Sequence, residues 1–140
     1  YMPEARVTGM MVDTDPFDRI TVDLMREAAA LLGAEVQVSR EDFDLRDMCG
    51  PGYAVASEEG NAAVAMMAEQ EGLFLDPVYT GKAFAGLIQM AKEGALRSTD
   101  RVLFLHSGGA GGLFAIEMLK RSVWMLGFHK RAEIVTVETK

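Results

Sequence analysis

Cysteine is nearly absent. Cys49 stands alone in 140 residues, which excludes an internal disulfide framework and suits a reducing cytoplasm. Histidine is almost as scarce: His106 and His129 are the only two, and neither has metal-ligand spacing to a carboxylate or to the cysteine, so no metal site is expected. No apolar run is long enough to span a bilayer, although 49% of the residues are hydrophobic. The expectation is a soluble, cytoplasmic chain with no membrane partner. A basic stripe is missing too. With a net charge of -7, the body of the chain lacks the Lys and Arg that neutralise phosphates, which argues against nucleic acid as a partner. Nor does Tyr1 open a start methionine, charged leader or signal-peptide pattern, so the chain reads as though cut from something longer.

What is present alternates strand and helix signals. Arg6 to Val12 is apolar enough for a short strand covered on both faces, as in parallel sheets. Asp15-Pro16 then predicts a helix with Asp15 at the N-cap and Pro16 in the first helical position. Phe17, Ile20, Leu24, Ala28 and Leu31 give that helix one apolar stripe, and Gly33 ends it. Glu35 to Val38 reads as a short strand or an extended linker, and Arg40 to Met48 as a solvated connection. Ser57, followed by Glu58 and Glu59, opens a second helix to about Glu71, with Ala62, Val64, Ala65, Met66 and Met67 on a broad apolar face. A third helix is predicted from about Gly81 to Glu93, with Phe84, Leu87, Ile88 and Ala91 on one face and the small Ala85 and Gly86 allowing close packing. Arg101 to His106 is a second clear strand signal, and Gly108 to Gly112 lead into a short helix from about Leu113. This order points to an α/β domain, a parallel sheet with flanking helices.

The chain is organised around Asp76-Pro77-Val78-Tyr79-Thr80-Gly81-Lys82. Pro77 holds Asp76 extended, Thr80 is placed to cap the helix that follows, and Gly81 allows close backbone approach. Tyr79 and Lys82 are then expected to face outward from the corner. The same corner also reads as an ordinary loop-to-helix junction.

Asp-Pro-Val-Tyr-Thr-Gly-Lys at 76–82 resembles a signature of pyridoxal 5'-phosphate enzymes of the D-cysteine desulfhydrase and 1-aminocyclopropane-1-carboxylate deaminase family. Gly50-Pro51-Gly52-Tyr53-Ala54 is similar to that family's Gly-Tyr loop, and Val102 to Gly109 to its strand ending in His-[Thr/Ser]-Gly-Gly. The three motifs stand in the same order as in the family, and the likeness runs from about Val7 to about Ala115. It implies the C-terminal part of a fold-type II, tryptophan synthase β-like enzyme over residues 1–118, followed by a divergent tail over residues 119–140.

The resemblance also implies roles. Tyr53 and Tyr79 would flank cofactor and substrate as catalytic groups, one carrying a proton and one positioning. Tyr79, Thr80, Ser107 and Gly108 would contact pyridoxal phosphate, with the hydroxyl of Ser107 facing the pyridine nitrogen. A neutral hydroxyl partner makes the ring a weaker electron sink than a carboxylate would, which favours β-elimination. Thr80 stands where the cyclopropane deaminases carry Glu, which counts against ring opening. The implied reaction removes sulfide or sulfite and ammonia from a cysteine-type amino acid and gives pyruvate, and L-cysteate sulfo-lyases are close relatives of this type. Small amino acids are the implied substrates, and a homodimer is the implied assembly of the full-length protein. The family's Schiff-base lysine and Gly-rich phosphate loop lie upstream of the matching segment, so the chain alone is expected to be inactive.

Without the resemblance, Tyr53 and Tyr79 read as amphipathic residues at a domain edge, Ser107 as a capping hydroxyl, and the Gly-rich turn as a plain turn. The tail mixes Lys120, Arg121, His129, Lys130 and Arg131 with Trp124, Leu126 and Phe128, and Glu133 to Thr139 alternates like an edge strand. A solvated helix-strand appendage or non-homologous read-through is the favoured reading over a nucleic-acid patch. Two function classes stay open: a piece of a pyridoxal-phosphate lyase or deaminase, and a non-catalytic remnant that serves as an interaction or binding module.

Overall fold

The computed structural model describes residues 5–107. The expected helix from Leu113, the tail strand, Gly108 and the division near residue 118 lie outside those residues.

Strand β1, Thr8–Met11, falls inside the apolar run that predicts it. It pairs in parallel with β2, Asp44–Asp47, in the register Thr8↔Asp44 to Met11↔Asp47. Parallel neighbours need a crossover, and helix α1, Phe17–Leu31, supplies it. β2 corrects the expectation of a solvated connection across 40–48. Its pattern Asp-Leu-Arg-Asp carries almost no hydrophobic signal, and the segment becomes a strand because β1 offers it a ladder. A 3-10 turn at Arg40–Asp42 precedes it, with Ser39 and Asp42 capping each other. Glu35 to Val38 is linker, without strand pairing.

Helix α1 departs from expectation at its start. Pro16, not Asp15, occupies the N-cap position and no side chain caps the helix, because a proline with its ring-fixed φ begins the turn and the Asp15 carbonyl takes the Phe17 amide at 2.7 Å. Its stop is as predicted, with Gly33 in the left-handed region at φ 63°. The apolar stripe is present but only partly covered among the described residues: Phe17 and Ile20 are half-buried, no α1 residue is fully buried, and Leu31 is 88% exposed.

Helices α2, Glu58–Glu71, and α3, Thr80–Lys92, pack against each other. Ser57 caps α2 by accepting the Gly60 amide at 3.0 Å, and Gly72 closes it in the left-handed region. The buried face is narrower than the predicted stripe. Gly60, Ala63, Val64 and Met67 are inside at spacings of three and four, while Ala62 and Met66 face solvent. On α3, Ala85 and Gly86 are the buried small residues. A Cβ on Gly86 would lie 2.6 Å from Met10 Sδ, so glycine there lets β1 approach the helix. Val64, Met67 and Leu75 form the core, with Phe84 and Phe104 packed against it.

The segment 101–107 is not a strand in the structure. A strand exists by pairing, and no described strand pairs with it. Phe104 packs edge-on to Phe84 at 5.3 Å between ring centroids, while Leu103 and Leu105 stay 85% and 78% exposed.

Candidate active site

The corner at 76–82 is built by a carboxylate. Asp76 is 2% exposed. Its Oδ1 accepts the amides of Val78 at 2.9 Å and Tyr79 at 2.7 Å, and its Oδ2 accepts the Thr80 amide at 2.9 Å and the Thr80 hydroxyl at 2.6 Å. Thr80 Oγ1 in turn accepts the Asp76 amide at 2.8 Å. Asp76 thus caps the start of α3, satisfying amides that a helix end leaves orphaned, while the Thr80 hydroxyl caps no helix amide and ties back onto Asp76. Burial works against ionising Asp76, but the Thr80 hydroxyl and the three amides outweigh it and hold the carboxyl below its ordinary value of 3.8. Sequence reasoning gave the cap to Thr80 alone. The signal for Asp76 was available, since Asp is among the strongest N-cap residues.

Tyr79 sits at the N-cap position of α3 and reaches Tyr53, with the two phenol oxygens 2.5 Å apart and the rings 6.1 Å between centroids. Both remain partly open to solvent, at 51% for Tyr53 and 40% for Tyr79. The hydrogen bond with Tyr53 is the main cause that pushes the Tyr79 phenol above its ordinary value of 10.0, followed by desolvation and the negative charges of Tyr53, Asp76 and Asp13. A bond that raises a phenol's pKa favours its protonated form, and either phenol of the pair could be the donor.

Lys82 does not face outward as its sequence position suggested. It is 0% exposed, and its Nζ donates to the carbonyl oxygens of Cys49 at 2.6 Å and Gly52 at 2.9 Å. Lys82, Ala85 and Gly86 share one helix face at i, i+3 and i+4, and the two small partners were the signal that this face points inward. The loop it holds is irregular. Gly50 has φ 63°, Gly52 φ 146° and Ala54, without glycine's freedom, φ 58°.

The tyrosines border a cleft of ≈ 370 Å³ beyond the carboxyl end of β1, walled by Met10, Met11, Phe17 and Leu45, with Asp13 and Thr21 as further polar groups. This is where ligands gather in parallel α/β sheets. Of the site residues read from the sequence, Tyr53 and Tyr79 are brought together at the cleft, while the Thr80 side chain is buried against Asp76 and does not line it. Ser107 is exposed at the end of the 101–107 segment, whose His106 Nε2 lies 3.3 Å from the Phe74 carbonyl oxygen. Among the described residues, no three of His, Cys, Asp or Glu are grouped so as to hold a metal ion, and no helix is long and apolar enough to cross a membrane.

A family model described as "Pyridoxal-phosphate dependent enzyme" matches residues 2–108. D-cysteine desulfhydrases from Klebsiella pneumoniae subsp. pneumoniae and from Klebsiella pneumoniae strain 342 are each 39% identical over 114 residues, covering 81% of this chain and 35% of the relative. A crystal structure of an ACC deaminase homologue superposes with a TM-score of 0.66 at 34% identity, over 81% of this chain and 34% of that one. The chain thus spans about a third of the length of the proteins it resembles.

Proposed function

Because this chain belongs to the family of pyridoxal-phosphate dependent enzymes, we propose that it forms part of a carbon–sulfur lyase that acts on a cysteine-type amino acid. The products are sulfide or sulfite, ammonia and pyruvate. The observation that carries this reading is the hydrogen-bonded Tyr53–Tyr79 pair at the mouth of an apolar cleft. A volume of ≈ 370 Å³ lies within the usual range for small-ligand sites. Its thioether, aromatic and leucine walls suit the faces of a planar ring, so these residues fit the family's cofactor.

Pyridoxal phosphate, when bound, supplies an electron sink for negative charge at the substrate's α-carbon. The chain's own groups do the rest. Tyr79 holds a proton next to Tyr53, which makes the pair a proton carrier between substrate and leaving group. Ser107 and Gly108 would help to hold the cofactor, with the Ser107 hydroxyl as a partner for its ring nitrogen. Thr80 cannot donate there, because its hydroxyl hydrogen is committed to Asp76; it serves by fixing the corner from which Tyr79 projects. With a neutral hydroxyl in the Ser107 role the cofactor would supply a weaker electron sink than with a carboxylate, which favours elimination over cyclopropane opening.

Steady-state pyruvate release by the full-length protein from D-cysteine, L-cysteate and 1-aminocyclopropane-1-carboxylate tests the proposal. A cysteine-type substrate should be preferred. Ser107→Ala leaves a buried ring nitrogen without a partner, a loss of roughly 1–3 kcal/mol, so elimination should slow about tenfold or more. A preference for the cyclopropane substrate, or an unaffected Ser107→Ala enzyme, refutes the reading.

A further inference from the structure

We propose that Lys82 is a positioning residue: from helix α3 its Nζ clamps the carbonyls of Cys49 and Gly52 and so holds Tyr53 against Tyr79. The inference rests on reading the two tyrosines as the working groups of the site, and it concerns what keeps them together.

The loop that carries Tyr53 has little else to fix it. Its internal backbone bonds are long, 3.4 Å from the Gly52 amide to the Cys49 carbonyl and 3.3 Å from the Val55 amide to the Gly52 carbonyl. Three of its five residues take positive φ, so it has no regular ladder to define its path. The side chain of Tyr53 itself is half exposed, and its recorded polar contact is the Tyr79 hydroxyl. Against this, the two Lys82 bonds are well formed, at 2.6 Å to Cys49 and 2.9 Å to Gly52, and come from a side chain that is 0% exposed. They land on the carbonyl immediately before Tyr53 and on the carbonyl that opens the turn.

Room for the clamp is built into α2. A Cβ on Gly60 would stand 3.3 Å from Lys82 Cγ and 3.6 Å from its amide nitrogen, so glycine at 60 lets the lysine stem pass between the helices. Tyr79 lies three residues before Lys82, on the first turn of the same helix. One rigid element therefore places both phenols, Tyr79 directly and Tyr53 through the Lys82 clamp. Buried polar groups are ordinarily satisfied by whatever is near. Here the acceptors are two carbonyls spaced around one turn, and together they dictate the direction in which Tyr53 leaves the backbone.

The test uses the full-length protein and has one readout that needs neither cofactor nor substrate. Ring-labelled tyrosine titrated by NMR should find Tyr79 above 10.0 in the wild type. Lys82→Met keeps the buried stem and removes the donor, and it should return Tyr79 toward 10.0, as should Tyr53→Phe; combining the two should add nothing further. The second readout is kcat for pyruvate release. Lys82→Met should lower it tenfold or more when Tyr53 is present and by less than twofold in the Tyr53→Phe background, because a residue acting through Tyr53 is silent without it. If Lys82→Met does not fold, Lys82→Gln, which keeps an amide donor on a shorter arm, should give the same pattern at reduced size. Wild-type titration of Tyr79 in the lysine variants, or equal kcat losses in both backgrounds, overturns the proposal. A wild type that releases no pyruvate from any of the three amino acids refutes the proposed function, and the titration still decides the clamp.

Discussion

Asp76 is the residue whose removal should most disturb the site without touching the tyrosines. Its carboxylate accepts four hydrogen bonds, from the amides of Val78, Tyr79 and Thr80 and from the Thr80 hydroxyl. In Asp76→Ala the Tyr79 amide is next to a partly exposed residue, where water can replace the lost acceptor. The two donors on Thr80 cannot be rescued that way, because Thr80 is 2% exposed. A buried donor left without an acceptor costs about 1–3 kcal/mol, and loss of a helix cap about 0.5–2 kcal/mol. A total of roughly 3 kcal/mol follows, since these overlap. Asp76→Asn keeps one acceptor oxygen for the Val78 and Tyr79 side but turns an amide toward the Thr80 donors, so about 2 kcal/mol is expected.

Amide hydrogen exchange at residues 78–80 of the full-length protein reads this locally: about 2.8 kcal/mol is a hundredfold faster exchange if opening limits it. The pH dependence supplies an independent arm. The folded carboxyl has its pKa below the ordinary 3.8, so its stabilisation is fully present above pH 3.8 and is lost as pH falls through the folded value. Urea denaturation should therefore show a gap between wild type and Asp76→Asn that is constant at neutral pH and narrows below pH 3.8. Exchange at 78–80 as slow as in the wild type, or a gap that widens in acid, would refute the reasoning.

Three further outcomes follow from the same contacts. Gly81→Ala would place a Cβ 2.7 Å from the Asp76 carbonyl oxygen and 2.7 Å from Val64 Cγ2, whereas the atoms nearest a Cβ at Gly86 belong to the side chains of Met10 and Met48. Urea midpoints should show the first destabilising by about 1–3 kcal/mol and the second near neutral, because methionine yields and alanine favours the helix by about 1 kcal/mol; equal effects would be inconsistent with this. Ala54→Gly removes the strain of φ 58°, roughly 1–2 kcal/mol for an L-residue, against about 0.4–1 kcal/mol of added unfolded-state freedom, so denaturation should show a net gain of up to about 1.6 kcal/mol, and a clear loss would count against strain at that position. Borohydride reduction of the full-length protein with pyridoxal phosphate, followed by peptide mapping, should leave Lys82 unlabelled, since its Nζ is enclosed and bound to two carbonyls; stoichiometric labelling there would contradict the clamp.

The sequence displayed the helices well because their signals are local. Ser57 with Glu58 and Glu59, Gly72, and the small pair Ala85 and Gly86 each act within a turn or two of chain. What it hid depends on partners far along the chain. Asp-Leu-Arg-Asp becomes β2 only because β1 lies beside it. Val102 to Leu105 has every local mark of a strand and is not one, since no described strand pairs with it. The site divides the same way. Tyr53 and Tyr79 were legible as a pair through the resemblance of two motifs, but the direction of Lys82 was not. Its acceptors are the carbonyls of Cys49 and Gly52, 33 and 30 residues away, and a carbonyl has no letter in a sequence.

In the Asp76–Lys82 corner, folding and chemistry rest on the same bonds. The carboxylate that caps α3 also fixes the backbone of Tyr79, and the lysine two residues beyond Thr80 anchors the loop of Tyr53. The phenols meet only if both constraints hold. Their contact is the largest cause raising the Tyr79 phenol above its ordinary value of 10.0, so loosening either constraint should draw that phenol back toward 10.0.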